Sequence, residues 1–176
     1  MAMSDAGAVW RPLSRAMLRR APAALRPWLA GRGSLTAALR GACASAVDCT
    51  LLAQGWRAAS AHESVRLRLA PGAPVFWRRV RFMRAGRPLL VGNTVVPPRT
   101  LARWPALRRL GDRPVGELVF AVPGTCRQQV ELAVAPAAQA PALASRRSVI
   151  ALQGGTLLVE EHFLPAALSL GAPPCR

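Results

Sequence analysis

Two charged residues stand where a β-strand would ordinarily place apolar ones. In VFWRRVRF (75–82), strand alternation puts Phe76, Arg78, Val80 and Phe82 on one face and Trp77, Arg79 and Arg81 on the other. In TLLVEEHFL (156–164), Leu157, Val159, Glu161 and Phe163 share a face, with Leu158, Glu160, His162 and Leu164 opposite. A guanidinium and a carboxyl group thus each sit among side chains that seek a core. An arginine does not shed its charge near neutral pH, so a buried Arg78 needs an anion. Two arrangements supply one. Glu161 can itself be the anion, as a plain buried ion pair. Alternatively, Arg78 is reserved for a ligand carboxylate, which its planar fork suits, and Glu161 keeps its proton as a general acid with a raised pKa.

Other reactive residue types offer less. Cys43, Cys49, Cys126 and Cys175 form no CxxC pair, and the histidines are only His62 and His162, so metal-ligand spacing is missing and no metal site is expected. Free thiols in a reducing compartment are the simpler reading, although Cys43 and Cys49 are close enough in sequence to bridge. His162 falls on the strand face opposite Glu161, which disfavours a His–Glu catalytic pair. The five tryptophans read as packing residues.

The net charge of +16 over 176 residues invites a nucleic-acid reading. All 24 basic residues are arginine, scattered rather than clustered, and aromatic content is only 5%, so stacking platforms for single strands are scarce. Nucleic acid is therefore not the expected partner. The uncharged stretch 132–145 contains two prolines and falls short of the roughly 20 apolar residues that span a bilayer. The expectation is a soluble cytoplasmic protein.

The elements that would position Arg78 and Glu161 follow from periodicity. Residues 1–9 read as a flexible N-terminus and 10–172 as one domain, a length that allows a sizeable core. Ala23–Leu29 is a helix candidate ended by Gly31 and Gly33, and Ser34 caps a second helix over 35–39. From residue 46 the period becomes two. Strands are predicted over 46–56, 65–69, 75–84, 88–96, 128–134, 147–152 and 156–163, with AGRP and QGGT marking hairpin turns. Residues 106–120 read as a helix in two pieces, with Asp112 as the cap of the second, and 135–145 as a low-complexity loop. The sum is an α+β fold: a single antiparallel β-sheet of about six strands, helices packed on one face, and an enclosed ligand site.

Three ordered stretches, GNTVVPPRTL (92–101), LGDRPVGELVF (110–120) and SRRSVIALQGGTLLVEEHFLP (145–165), resemble the chorismate lyase family. The resemblance covers roughly residues 27–170. It implies removal of pyruvate from chorismate to give 4-hydroxybenzoate for ubiquinone biosynthesis, by a monomer using no metal or organic cofactor. It also implies roles at four positions. Arg78 would hold the ring carboxylate and Glu161 would hydrogen-bond the para oxygen, while the backbone amides of Leu35 and Val115 would complete the substrate and product site. Leu35 directly follows the Ser34 cap, so its amide is one of the free donors of a helix start. One departure is Asn93, where many relatives have arginine; Arg146 or Arg147 is a candidate substitute. An alternative of a different class is a non-catalytic small-acid-binding module, like the ligand-sensing domains of bacterial transcription regulators. Those domains normally follow a DNA-binding segment of some 60–70 residues, whereas only about 40 proline-interrupted residues precede the sheet.

Overall fold

A computed structural model describes residues 9–43, 46–135 and 142–173; most of the reading of 1–9 as a loose terminus, most of the 135–145 loop, and Cys175 lie outside them. The chain forms β1 (Arg11–Pro12), α1 (Arg15–Arg20), α2 (Arg26–Ala30), α3 (Leu35–Ala42), β2 (Asp48–Ala58), α4 (Ala61–Leu67), β3 (Pro74–Arg84), β4 (Arg87–Val96), α5 (Pro98–Arg103), α6 (Val115–Val119), β5 (Cys126–Val134), β6 (Ala144–Leu152) and β7 (Gly155–Phe163). The strands make one antiparallel sheet in the order β1-β5-β6-β7-β4-β3-β2. That is seven strands among the described residues rather than about six; the addition is the two-residue β1 paired to the edge of β5.

Two tight hairpins set the central register. Arg84 pairs with Arg87 across Ala85 and Gly86, whose φ values of 46° and 73° provide the left-handed pair that a two-residue hairpin loop requires. Leu152 pairs with Gly155 across Gln153 and Gly154 (φ 75°). Central β4 and β7 are buried along most of their length, as strands flanked on both sides must be.

Most helices cover one sheet face. There α1–α3 bury Met17, Trp28, Leu29 and Leu39 against Val80, Phe82, Leu90 and Phe163. On the same face the segment 101–119 packs Leu101, Leu107 and Val119 on Phe76, Val96, Ile150 and Val159. The opposite face carries α4, whose Leu67 packs on Val75, Val95, Val149 and Leu158.

That helix replaces the strand predicted at 65–69. The alternation of Val65, Leu67 and Leu69 is overridden upstream by a capping box. The Ser60 side chain accepts from the backbone amide of Glu63, and the Glu63 carboxylate accepts from the Ser60 N–H at 2.8 Å. Arg68 ends the helix in the left-handed conformation (φ 53°). Val65 is 76% exposed, on the solvent side of the helix. Trp56 is also a partial exception to the packing expectation: half exposed, it meets Phe76 edge-on at 5.9 Å.

Candidate functional site

A row of residues in register crosses the helix-covered face: Val80, Gly92, Glu161, Arg146. Gly92 has no side chain to fill the middle of this row; a Cβ there would lie 3.3 Å from a Val80 methyl. The hollow over it is roofed by the starts of α3 and α6, and the resulting cavity bounds about 470 Å³ of atom-free space, part of it open to solvent. Its walls are mainly apolar, from Val80, Phe82, Leu90, Val159, Val119 and Phe120, with Arg127 and Glu161 as its charged residues. A greasy cavity with few convergent polar groups is the usual form of a small-molecule site.

Glu161 is held by two arginines, and neither is Arg78. Arg146 Nε donates to its Oε2 at 2.6 Å, while Arg127 Nη2 lies 3.2 Å from Oε1 and Nη1 3.4 Å from Oε2. All three side chains are buried. Burial alone would raise the Glu161 pKa, but the charges and hydrogen bonds of Arg127 and Arg146 outweigh it and hold the carboxyl below its ordinary value. The expectation of a protonated Glu161 with a raised pKa is therefore corrected: it is a carboxylate.

The bracing arginines also order the chain leading into α3. Arg146 Nη1 donates to the carbonyls of Trp28 (2.9 Å) and Gly31 (2.6 Å), placing a cation at the C-terminus of α2, and Arg127 Nη2 reaches the Gly33 carbonyl at 3.4 Å. Arg127 further donates to Ser148 Oγ at 2.5 Å and lies over the Phe120 ring at 5.6 Å. Burial pulls its pKa down to about 10, against the pull of Glu161, so it stays charged at neutral pH.

Arg78 is 1% exposed, on the cavity side of β3, with its cross-strand partner Thr94 and its neighbour Val80 both lining the cavity. Its own bonds go to neutral carbonyls, Nη2 to Gly111 at 2.6 Å and Nη1 to Arg113 at 3.1 Å, and its buried Nε has no hydrogen-bond partner. Among the described residues no carboxylate lies within ion-pair distance of it, and burial lowers its pKa. The simple Arg78–Glu161 ion pair is thus not what forms. Arg78 itself is not among the residues that line the cavity; it ties β3 to the loop that precedes α6.

Leu35 and Val115 both line the cavity as the first residues of α3 and α6, where helix geometry leaves the amide without an intrahelical acceptor. Ser34 caps α3 as expected, its Oγ accepting from Ala37 N at 3.2 Å. Asp112 does not cap α6. Pro114 holds that position, and Asp112 instead accepts from Leu51 N on β2 at 2.7 Å. Gly116 allows the two helix starts to approach, since a Cβ there would lie 2.9 Å from Ser34 Oγ.

On the opposite sheet face a separate polar network runs through Arg79, Asn93, Glu160, Arg147 and Glu131, which are cross-strand neighbours. Arg79 Nε donates to Asn93 Oδ1 (2.8 Å), and Asn93 Nδ2 lies 3.3 Å from Glu160 Oε2. His62 of α4 reaches Glu160 at 3.2 Å, and His162 contacts Ser145 Oγ at 2.8 Å. Asn93 and Arg147 therefore face away from the cavity, and the arginine missing at 93 takes nothing from its wall. Sequence reasoning did not pair Glu161 with Arg127 or Arg146. Arg146 was within reach: counting back from the QGGT turn places it directly opposite Glu161. Arg127 was not, because a bulge at Gln129 (φ 47°) breaks the alternation of β5.

An antiparallel sheet with a helix-roofed, mainly apolar cavity on one face defines the class of fold. Two solved structures share the architecture: the PhnF C-terminal domain (TM-score 0.54, 18% identity, 72% of this chain and 86% of that one) and the C-terminal domain of the histidine utilization repressor from Pseudomonas syringae pv. tomato (TM-score 0.53, 14% identity, 74% and 100%). At such identity the likeness is one of fold. The sequence profile of the chorismate lyase family matches residues 6–169, and the chain belongs to that family. Similar relatives include proteins named as probable chorismate pyruvate-lyases from Aromatoleum aromaticum (36% identity over 91% of this chain and 97% of the relative) and Cupriavidus metallidurans (37%, over 84% and 76%).

Proposed function

We propose that this chain is a carbon–oxygen lyase that converts chorismate to 4-hydroxybenzoate and pyruvate, the reaction that supplies the ring of ubiquinone. The observation that carries the reading is the helix-roofed cavity with an ionised Glu161 in its wall, in a chain matched to the chorismate lyase family along nearly its whole length. The regulator-domain alternative has only shared fold behind it.

Chorismate carries a ring carboxylate, a hydroxyl at C4 (para to it) and an enolpyruvyl ether at C3. The reaction breaks the C4–H and C3–O bonds and moves one proton to the enolpyruvyl methylene carbon. All atoms are then accounted for in 4-hydroxybenzoate and pyruvate, so no oxidant, reductant or water is consumed. In this reading Arg78 turns from the Gly111 and Arg113 carbonyls to the ring carboxylate. The Leu35 and Val115 amides donate to substrate oxygens. The Glu161 carboxylate accepts a hydrogen bond from the para hydroxyl.

That last contact favours the transition state. A phenol is a stronger donor than an aliphatic alcohol, so the bond to Glu161 tightens as the ring becomes aromatic. Aromatisation supplies the driving force, and the protein's contribution is mainly to hold the diene in the eliminating orientation. On this reading the enzyme works as a cytoplasmic monomer. The free thiols of Cys43, Cys49 and Cys126 suit a reducing compartment, and no helix among the described residues is long and apolar enough to cross a membrane. Light scattering on the purified protein checks the monomer.

The test is to incubate purified protein with chorismate and quantify both products. Equimolar 4-hydroxybenzoate and pyruvate are expected. Pyruvate accompanied by a different aromatic acid, or tight binding of 4-hydroxybenzoate with no turnover, would overturn the assignment.

A further inference from the structure

Resting on that reading, we infer that Arg127 is the binding group for the second carboxylate of the substrate, the one on the enolpyruvyl side chain. The charges around the cavity lead there. Arg127 and Arg146 share one carboxylate, Glu161, so the trio carries one positive charge in excess. Arg78, bonded among the described residues only to carbonyls, adds another. Two surplus charges in a buried site call for two anions. Chorismate is a dicarboxylate, and each product keeps one of its carboxylates.

Of the two members of the excess trio, Arg127 is the one free to take the second. Arg146 commits its Nε to Glu161 and its Nη1 to the carbonyls at the end of α2, and it does not line this cavity. Arg127 lines the cavity, its side chain is 1% exposed, and its Nε–H is buried without a partner. An unpaired donor on a buried guanidinium is costly in the empty protein, and a ligand oxygen relieves that cost. The neighbouring Phe120 ring, over which Arg127 lies, offers an apolar wall for the enolpyruvyl methylene. With Arg78 on the ring acid and Arg127 on the side-chain acid, the ether lies between two fixed cations, and breaking it leaves each product on its own arginine.

The experiment compares two stable aromatic probes by titration calorimetry. They are 3-(carboxymethoxy)-4-hydroxybenzoate, which carries both carboxylates, and 3-methoxy-4-hydroxybenzoate, which lacks the second. The native protein should bind the dicarboxylate about tenfold or more tighter, the scale of one charge-assisted hydrogen bond. Arg127→Lys keeps a positive charge beside Glu161 but removes the Nε donor. It should erase most of that preference, read as the ratio of the two probes' affinities within the variant. A preference that survives in Arg127→Lys, or an equal loss for both probes, overturns the inference. Should the variant not fold, a crystal structure of the native protein with the dicarboxylate decides: its second carboxylate on Arg127 Nε supports the inference, and that carboxylate elsewhere refutes it. Native protein that turns over chorismate but shows no preference between the probes refutes only the role of Arg127. Native protein that binds neither probe and makes no product refutes the lyase reading itself.

Discussion

Replacing Glu161 by Gln separates the two protonation states that sequence and structure assign to this residue. If Glu161 held its proton, Gln would be a close mimic in size and hydrogen bonding, and the folded state would barely notice. Among the described residues it is the only carboxylate within ion-pair distance of Arg127 and Arg146, two side chains each 1% exposed. Gln leaves both guanidiniums buried side by side with no counter-ion. Removing one partner of a buried ion pair costs about 3–5 kcal/mol. For a chain of this size each kcal/mol corresponds to about 2–4 °C, so the melting temperature should fall by roughly 6–20 °C. Urea unfolding followed by circular dichroism measures the same loss. The pH dependence follows from the depressed pKa of the folded-state carboxyl. Its stabilisation is complete above the unfolded value of about 4.3 and is lost as pH falls through the lower folded value. The gap between native and Glu161→Gln proteins should therefore be flat from pH 6 to 9 and close only in strong acid. A gap under about 1 kcal/mol at pH 7, within the range of an ordinary surface change, would refute the charged assignment. So would a gap that widens as the medium is acidified.

Arg78→Ala should raise the KM for chorismate by about 10–100-fold, the loss of charge-assisted bonds to a carboxylate; steady-state kinetics with an unchanged KM would place the ring acid elsewhere. Gly116→Ala pushes a methyl to 2.9 Å from Ser34 Oγ and should cost about 1–3 kcal/mol while lowering kcat/KM, because it parts the starts of α3 and α6. Asn93→Ala should leave the KM for chorismate unchanged and lower the melting temperature, since Asn93 bonds Arg79 and lies beside Glu160 on the far face. His62, whose pKa is raised chiefly by its hydrogen bond to Glu160, should stabilise most below its unfolded pKa of about 6.5. The gap between native protein and His62→Gln should thus shrink as pH rises through the folded value, as urea titrations at pH 5.5, 7 and 8.5 can show.

What could be read from the sequence follows from how local each signal is. The hairpins at 84–87 and 152–155 are announced by glycines at positions that need positive φ, and the start of α3 by Ser34. Both inward charges, Arg78 and Glu161, were visible from strand alternation alone. Helix α4 was misread because three alternating apolar residues carry a weaker message than the Ser60–Glu63 capping box, whose effect depends on backbone geometry. The partner of Glu161 was misassigned for a non-local reason. Strand alternation says which face a residue takes but not which strand lies beside it. Arg146 comes from the neighbouring β6 and Arg127 from β5, beyond a bulge.

The pairing of β6 with β7 shows how charge specifies this sheet. Arg146 faces Glu161 on the cavity side, and Arg147 faces Glu160 on the other, so two adjacent arginines oppose two adjacent glutamates through both faces at once. A slip of one residue would bring only one arginine opposite a glutamate, Arg146 to Glu160 or Arg147 to Glu161, and would leave the other two buried charges without a direct cross-strand partner. In a sheet whose central strands are buried on both faces, apolar side chains alone would tolerate such a slip. The same four residues that lock the register also fix the ionised Glu161 against the cavity, so the alignment of the hairpin and the protonation state of its acid are set by one arrangement of charges.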